Sequence, residues 1–198
     1  MLTQLRQSVI FAIICTALFG FVYALAGTGV AQGLFPHQAN GSITANGSTL
    51  IGQNWSSPKS FHGRPDDAGP YAGNAKTDVA GGDNPLEANG LSGESSATNL
   101  GPRSQVLLTN TKALVAYWHS QGVDPTPDLV TTSGSGYDPD ITPQDATVQI
   151  PMVSKATGLS PSVLRALISK ETHGEQLGFL GSDYVDVLQL NEALAKLQ

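Results

Sequence analysis

From Val9 to Val30 the chain reads VIFAIICTALFGFVYALAGTGV, and this run decides the architecture. It carries no charge, and at ~1.5 Å per residue a helix of this length crosses the ~30 Å hydrocarbon core of a bilayer. Gly20, Gly27 and Gly29 are tolerated in a lipid helix, where small residues mark a face that another helix can approach. A cleaved signal peptide is the competing reading, because Ala24-Leu25-Ala26 has the small-x-small form of a cleavage site. The run is longer than the usual ~7–15 residues of a signal core, and only Arg6 precedes it, so a retained anchor is expected.

Outward from the run, Arg6 and the amino terminus are the only nearby positive charges, and no Lys or Arg follows before Lys59. The positive-inside bias then places residues 1–8 in the cytoplasm, 9–31 across the membrane, and 32–198 outside as one domain. Cys15, the only cysteine, lies within the apolar run, so the exported part must rely on its core and not on disulfides. Charged residues are 13 % of the chain, against a usual ~25 %. The net charge of −6 becomes −7 once Arg6 is set aside. Nucleic acid is excluded as a partner, since phosphate binding needs clustered Lys and Arg and here they are scattered.

Residues 34–54 are rich in Asn-Gly turns, and residues 48–55 read as a strand after Asn46-Gly47. Residues 56–101 hold many Gly, Pro, Asn, Asp and Ser, which makes them a long loop region and a candidate partner-binding surface. A helix is predicted over 105–121, with Leu107, Leu108, Leu114, Val115 and Trp118 at helical spacing and Gly122 as its stop. Leu129-Val130-Thr131 reads as a short buried strand, followed by the glycine turn at residues 133–140. Thr142, Pro143 and Asp145 open the next helix as cap, first residue and capping-box acid, Pro151 should kink it, and Gly158 ends it. Ser160-Pro161 starts another helix, stopped at Gly174. Residues 185–188 alternate like a strand, and Leu190, Leu194 and Leu197 suit a terminal helix. The fold class is α+β or α/β: one N-terminal transmembrane helix, then short strands with three to four helices.

Chemistry is sparse. Ser56-Ser57-Pro58-Lys59 matches the Ser-x-x-Lys nucleophile motif, but its companion elements are absent and Pro58 opposes the helical turn the motif needs. His37, His62, His119 and His173 lack metal-ligand spacing. Asp138, Asp140 and Asp145 do not form a calcium loop and are read as turn and helix caps. No phosphate-binding glycine loop follows a strand.

Several fragments together resemble one family. They are residues 35–42 (FPHQANGS), 50–55 (LIGQNW), 61–65 (FHGRP), 99–102 (NLGP), 128–143 (DLVTTSGSGYDPDITP), 149–151 (QIP) and 185–191 (VDVLQLN). In this order, behind an N-terminal span, they are similar to the C subunit of the bacterial Kdp potassium-pumping ATPase.

The resemblance implies a non-catalytic accessory subunit of the inner membrane. Its partners would be a channel-like potassium-translocating subunit and a P-type ATPase subunit, and ATP and K+ would be used by the complex. It further implies a role in assembly, and as a catalytic chaperone raising the ATP affinity of the ATPase subunit. That role is linked to a stretch likened to Leu-Ser-Gly-Gly-Gln, here Leu91-Ser92-Gly93-Glu94-Ser95, which makes Ser92 and Gly93 the nucleotide candidates. Glu94 in place of the second glycine adds a charge that repels phosphate. Partner-contact candidates are Gly20, Gly27 and Gly29 in the span, Gln53 and Arg64 in the fragments, and Asp138 and Asp140 in the glycine turn. The alternatives are an anchored exported enzyme or an envelope binding protein.

Overall fold

The computed structural model describes residues 2–53, 55, 57–65, 99–135 and 137–198. They fall into two compact units, Met1–Ile43 and Thr44–Gln198.

In the first unit a continuous helix, α1, covers Leu2–Leu34, with none of its most apolar window buried. Its hydropathy and length are those of a membrane-crossing helix, as the uncharged run leads one to expect. Over Thr16–Val22 the helix widens into a π-helical segment that contains Gly20. A short helix α2, Pro36–Ala39, follows Phe35. The Asn40 amide folds back onto Gln32, with Nδ2 donating to Oε1 at 3.1 Å and Oδ1 accepting from Nε2 at 3.2 Å. Gly41, at φ 88°, then turns the chain.

The second unit contains α3 (Gln105–Ser120), β1 (Asp140–Ile141), α4 (Pro143–Val148), α5 (Ile150–Thr157), α6 (Pro161–Glu171), β2 (Thr172–His173), β3 (Tyr184–Asp186) and α7 (Val187–Ala195). The strands form one antiparallel sheet in the order β1-β3-β2. The mixture is therefore α+β, since α/β requires parallel strands joined by crossovers. The helices bury one stripe each. Leu114 and Trp118 of α3, Ile150 and Val153 of α5, Leu164 and Ile168 of α6, and Leu190 and Leu194 of α7 meet Val185 of β3 in one core.

Local signals set most helix ends. Thr142 and Asp145 form a reciprocal capping box: Thr142 Oγ1 accepts from the Asp145 amide at 3.1 Å, and Asp145 Oδ2 accepts from the Thr142 amide at 2.8 Å. Gln149 separates α4 from α5, two residues before Pro151, whose missing N–H cannot continue the ladder. Gly158 ends α5 at φ 78°, a left-handed conformation that costs a side-chain-bearing residue free energy.

Four expectations are corrected. Asp128–Val130 is a 3-10 turn and not a strand, because Trp118 Nε1 takes the Leu129 carbonyl at 2.9 Å and the Val130 amide bonds Pro127 O at 3.2 Å. Residues 48–53 turn instead of extending, and the Gly52 amide donates to Tyr137 O at 2.9 Å. α6 stops at Glu171, before Gly174, because Thr172 becomes extended and pairs with Val185. Leu188 is helical and not part of the strand, because Asp186 Oδ1 accepts from the Gln189 amide at 2.7 Å and caps α7.

Candidate functional site

Phe61-His62-Gly63-Arg64-Pro65 runs as a strap that makes no regular ladder, yet Phe61 and His62 are fully buried. Buried backbone groups need partners, and here side-chain amides supply them. Asn191 of α7 bonds both polar groups of Phe61, accepting from its N–H and donating to its carbonyl, each at 2.8 Å. Gln149, at the α4–α5 break, does the same for His62, accepting at 2.8 Å and donating at 3.1 Å. Further along, Pro65 O accepts from the Ser133 amide at 2.9 Å.

The strap thus ties together fragments far apart in sequence: FHGRP, the glycine turn, QIP and VDVLQLN. Gln149 and Asn191 were not singled out from the sequence. The available signal was that each is a polar residue on an apolar helix stripe, which demands a specific partner.

His62 packs against Trp118 at 5.2 Å and Tyr117 at 6.3 Å between ring centroids, and its Nε2 lies 3.1 Å from Ser57 O. Burial lowers its pKa to about 4, with the Ser57 hydrogen bond opposing in part, so the ring is neutral at physiological pH.

Arg64 and Asp138 are brought together. Arg64 Nη1 lies 3.5 Å from Asp138 Oδ2, and Nη2 lies 3.8 Å from Asp128 Oδ1. Asp138 Oδ2 also accepts from Ser133 Oγ at 3.1 Å, and Oδ1 from the Asp140 amide at 3.3 Å. Its turn-capping role is visible in that last bond.

Asp140 faces Asp186 across the β1–β3 pair. Burial, then Asp186, then Asp138 raise the Asp140 pKa to about 6, and His173 opposes. Burial also raises Asp186, against hydrogen bonds from Gln189. Like charges directly opposite in a sheet are unfavourable, and here one of the two carboxyls, Asp186, is buried and the other, Asp140, half-buried.

The other candidates lie apart from this cluster. The Gln53 amide donates to Ile51 O at 3.2 Å and fills the space beside Gly47, where a Cβ would come within 2.5 Å of it. In α1, nothing approaches an added Cβ at Gly27 or Gly29 within 4 Å, and Gly20 meets only Thr16 Cγ2 at 4.0 Å. Ser92 and Gly93 fall outside the described residues. So does residues 66–98 of the loop region expected to hold a partner surface. Among the described residues no group of His, Cys, Asp and Glu is arranged to hold a metal ion.

Comparison with known proteins gives the cluster a context. The family model for the K+-transporting ATPase c chain, KdpC, matches residues 5–196. A potassium-transporting ATPase KdpC subunit from Sorangium cellulosum is 40% identical over 205 residues, covering 98% of each chain. That of Gloeobacter violaceus is 43% identical over 97% of this chain and 93% of its own, and that of Methylorubrum populi 40% over 100% and 98%. With the match running through both units, this chain belongs to the KdpC family of K+-transporting ATPase subunits.

Proposed function

We propose that the chain is a non-catalytic accessory subunit of an ATP-driven, high-affinity potassium importer of the bacterial inner membrane. In this reading α1 is an uncleaved anchor with its N-terminus in the cytoplasm, and residues 32–198 form an extracytoplasmic domain. Its partners are a channel-like potassium-translocating subunit and a P-type ATPase subunit. The observation that carries the reading is the unbroken family match through an exposed apolar helix and a separately packed domain.

Each part has a physical task. Gly27 and Gly29, about 200° apart around α1, leave it open to close approach by another helix on two different sides, and packing is the main force available in lipid. The strap, buried at Phe61, His62, Gly63 and Pro65 and held by side-chain amides, fixes the position of the part-exposed Arg64, so that a partner meeting this side chain pays little ordering cost. The acids Asp138, Asp140 and Asp186 bias the local potential toward cations, with Arg64 offsetting Asp138. The catalytic-chaperone role acts through positioning of the ATPase subunit and not through ATP held by this chain.

Purification of the tagged full-length chain from its own membrane tests the reading. Both pump subunits should travel with it, and its intact mass should include the residues before Gly27. A chain recovered alone, or cleaved after Ala26, overturns the corresponding part.

A further inference from the structure

Between β2 and β3 the backbone makes a tight loop that turns its apolar side chains outward. Gln176 and Leu180 close it with two backbone hydrogen bonds, N to O at 2.8 Å and N to O at 2.9 Å in return. Leu177 is 83% exposed, Phe179 71% and Leu180 47%. Leu177 is held at φ 56°, a left-handed conformation unusual for a residue other than Gly, Asn or Asp. Three large apolar side chains projecting from four residues are what an interaction site presents, since folding alone gains nothing from them.

The charges around the loop select the occupant. Residues 174–183 contain Glu175 and Asp183 but no Lys, Arg, Trp or Tyr. Asp183 stands at the base of the loop, its Oδ1 3.8 Å from where a Gly174 Cβ would lie. Segments that dip into a bilayer surface carry basic residues that meet anionic headgroups, and aromatic amphipathic anchors. Tyr184, the nearest such residue, is stacked on His173 at 5.0 Å within the sheet. An acidic base beneath an apolar tip suits a protein socket with an apolar floor and a basic rim.

We infer that the loop Glu175–Gly181 is a docking knob that seats in such a socket on another polypeptide of the same membrane complex. The two backbone hydrogen bonds preorganise the knob, so seating it costs little conformational entropy. The inference rests on the accessory-subunit reading and adds the surface that carries the contact.

The test uses the full-length chain in its own membrane. With benzoylphenylalanine replacing Phe179, light should produce an adduct with a polypeptide that mass spectrometry identifies as a subunit of the pump. The double variant Leu177→Asn, Phe179→Ser removes the apolar tip, and Asn tolerates the left-handed backbone, so its unfolding temperature should match the parent's. Pump subunits recovered with it after detergent extraction should fall by about tenfold or more. Glu175→Lys with Asp183→Lys should weaken recovery most at low salt. Adducts with lipid alone, or recovery of both variants at the parental level, overturn the knob while leaving the accessory-subunit reading intact. A parental chain that brings down no pump subunit overturns both.

Discussion

The Asn191 carboxamide completes both backbone hydrogen bonds of Phe61, although 130 residues separate them. It serves the strap as a neighbouring strand would serve a sheet. Asn191→Ala should therefore leave a buried N–H and a buried carbonyl without partners, at a cost of about 2–5 kcal/mol. Denaturant unfolding of the extracted chain measures this, and a loss well under 1 kcal/mol would show that the strap is held by other means.

Gln149 holds the next residue of the same strap. Gln149→Leu should be destabilising to a similar degree, but the double variant with Asn191→Ala should cost less than the sum of the two. Once one clamp has released the strap, the other has less to hold. Strict additivity in the double-mutant cycle would refute a shared strap.

Two groups titrate in opposition in mild acid. Asp140, raised to about 6, binds its proton more readily in the fold than when unfolded, so its contribution grows as pH falls through 6 and is lost as pH rises through it. His62, lowered to about 4, must charge in the unfolded state first, so its contribution is present above its ordinary pKa and is lost as pH falls toward 4. The parent should show a shallow profile between pH 4 and 6, with Asp186 adding to Asp140. Asp140→Asn should steepen the fall in melting temperature on the acid side. A variant profile parallel to the parent's would remove Asp140 from this balance.

Neutralising Asp138 and Asp140 to Asn keeps turn-forming side chains and removes charge. If these acids draw K+ by their field, the apparent potassium affinity of the assembled pump should weaken, and more so at low salt, because the field is screened over ~8 Å at physiological ionic strength. Arg64→Ala together with Asp138→Asn should change affinity less than Asp140→Asn alone, since Arg64 and Asp138 offset each other at 3.5 Å. Transport identical to the parent at low salt would leave the acids with their turn-capping role only.

The amino-acid sequence by itself determined the helices and their ends wherever the cause is local. The apolar run specified α1, and the Thr142, Pro143 and Asp145 cap, the Pro151 break and the Gly158 stop all act within one helical turn. The fragments that carry the family resemblance were equally legible. Tertiary structure alone decided what depends on a distant partner. Leu129 is an apolar residue suited to a strand, but Trp118 claims its carbonyl and a 3-10 turn results. Leu188 alternates like a strand residue, but the Asp186 cap draws it into α7. The choice of α+β came only with the antiparallel pairing of β1, β3 and β2, since two- and three-residue strands carry too little pattern to declare their direction. Arg64 meets Asp138, and Gln149 and Asn191 meet the strap, because packing the helices around Val185 closes separations of 74 to 130 residues. Side-chain spacing along the chain encodes none of those distances, and only the packed core sets them.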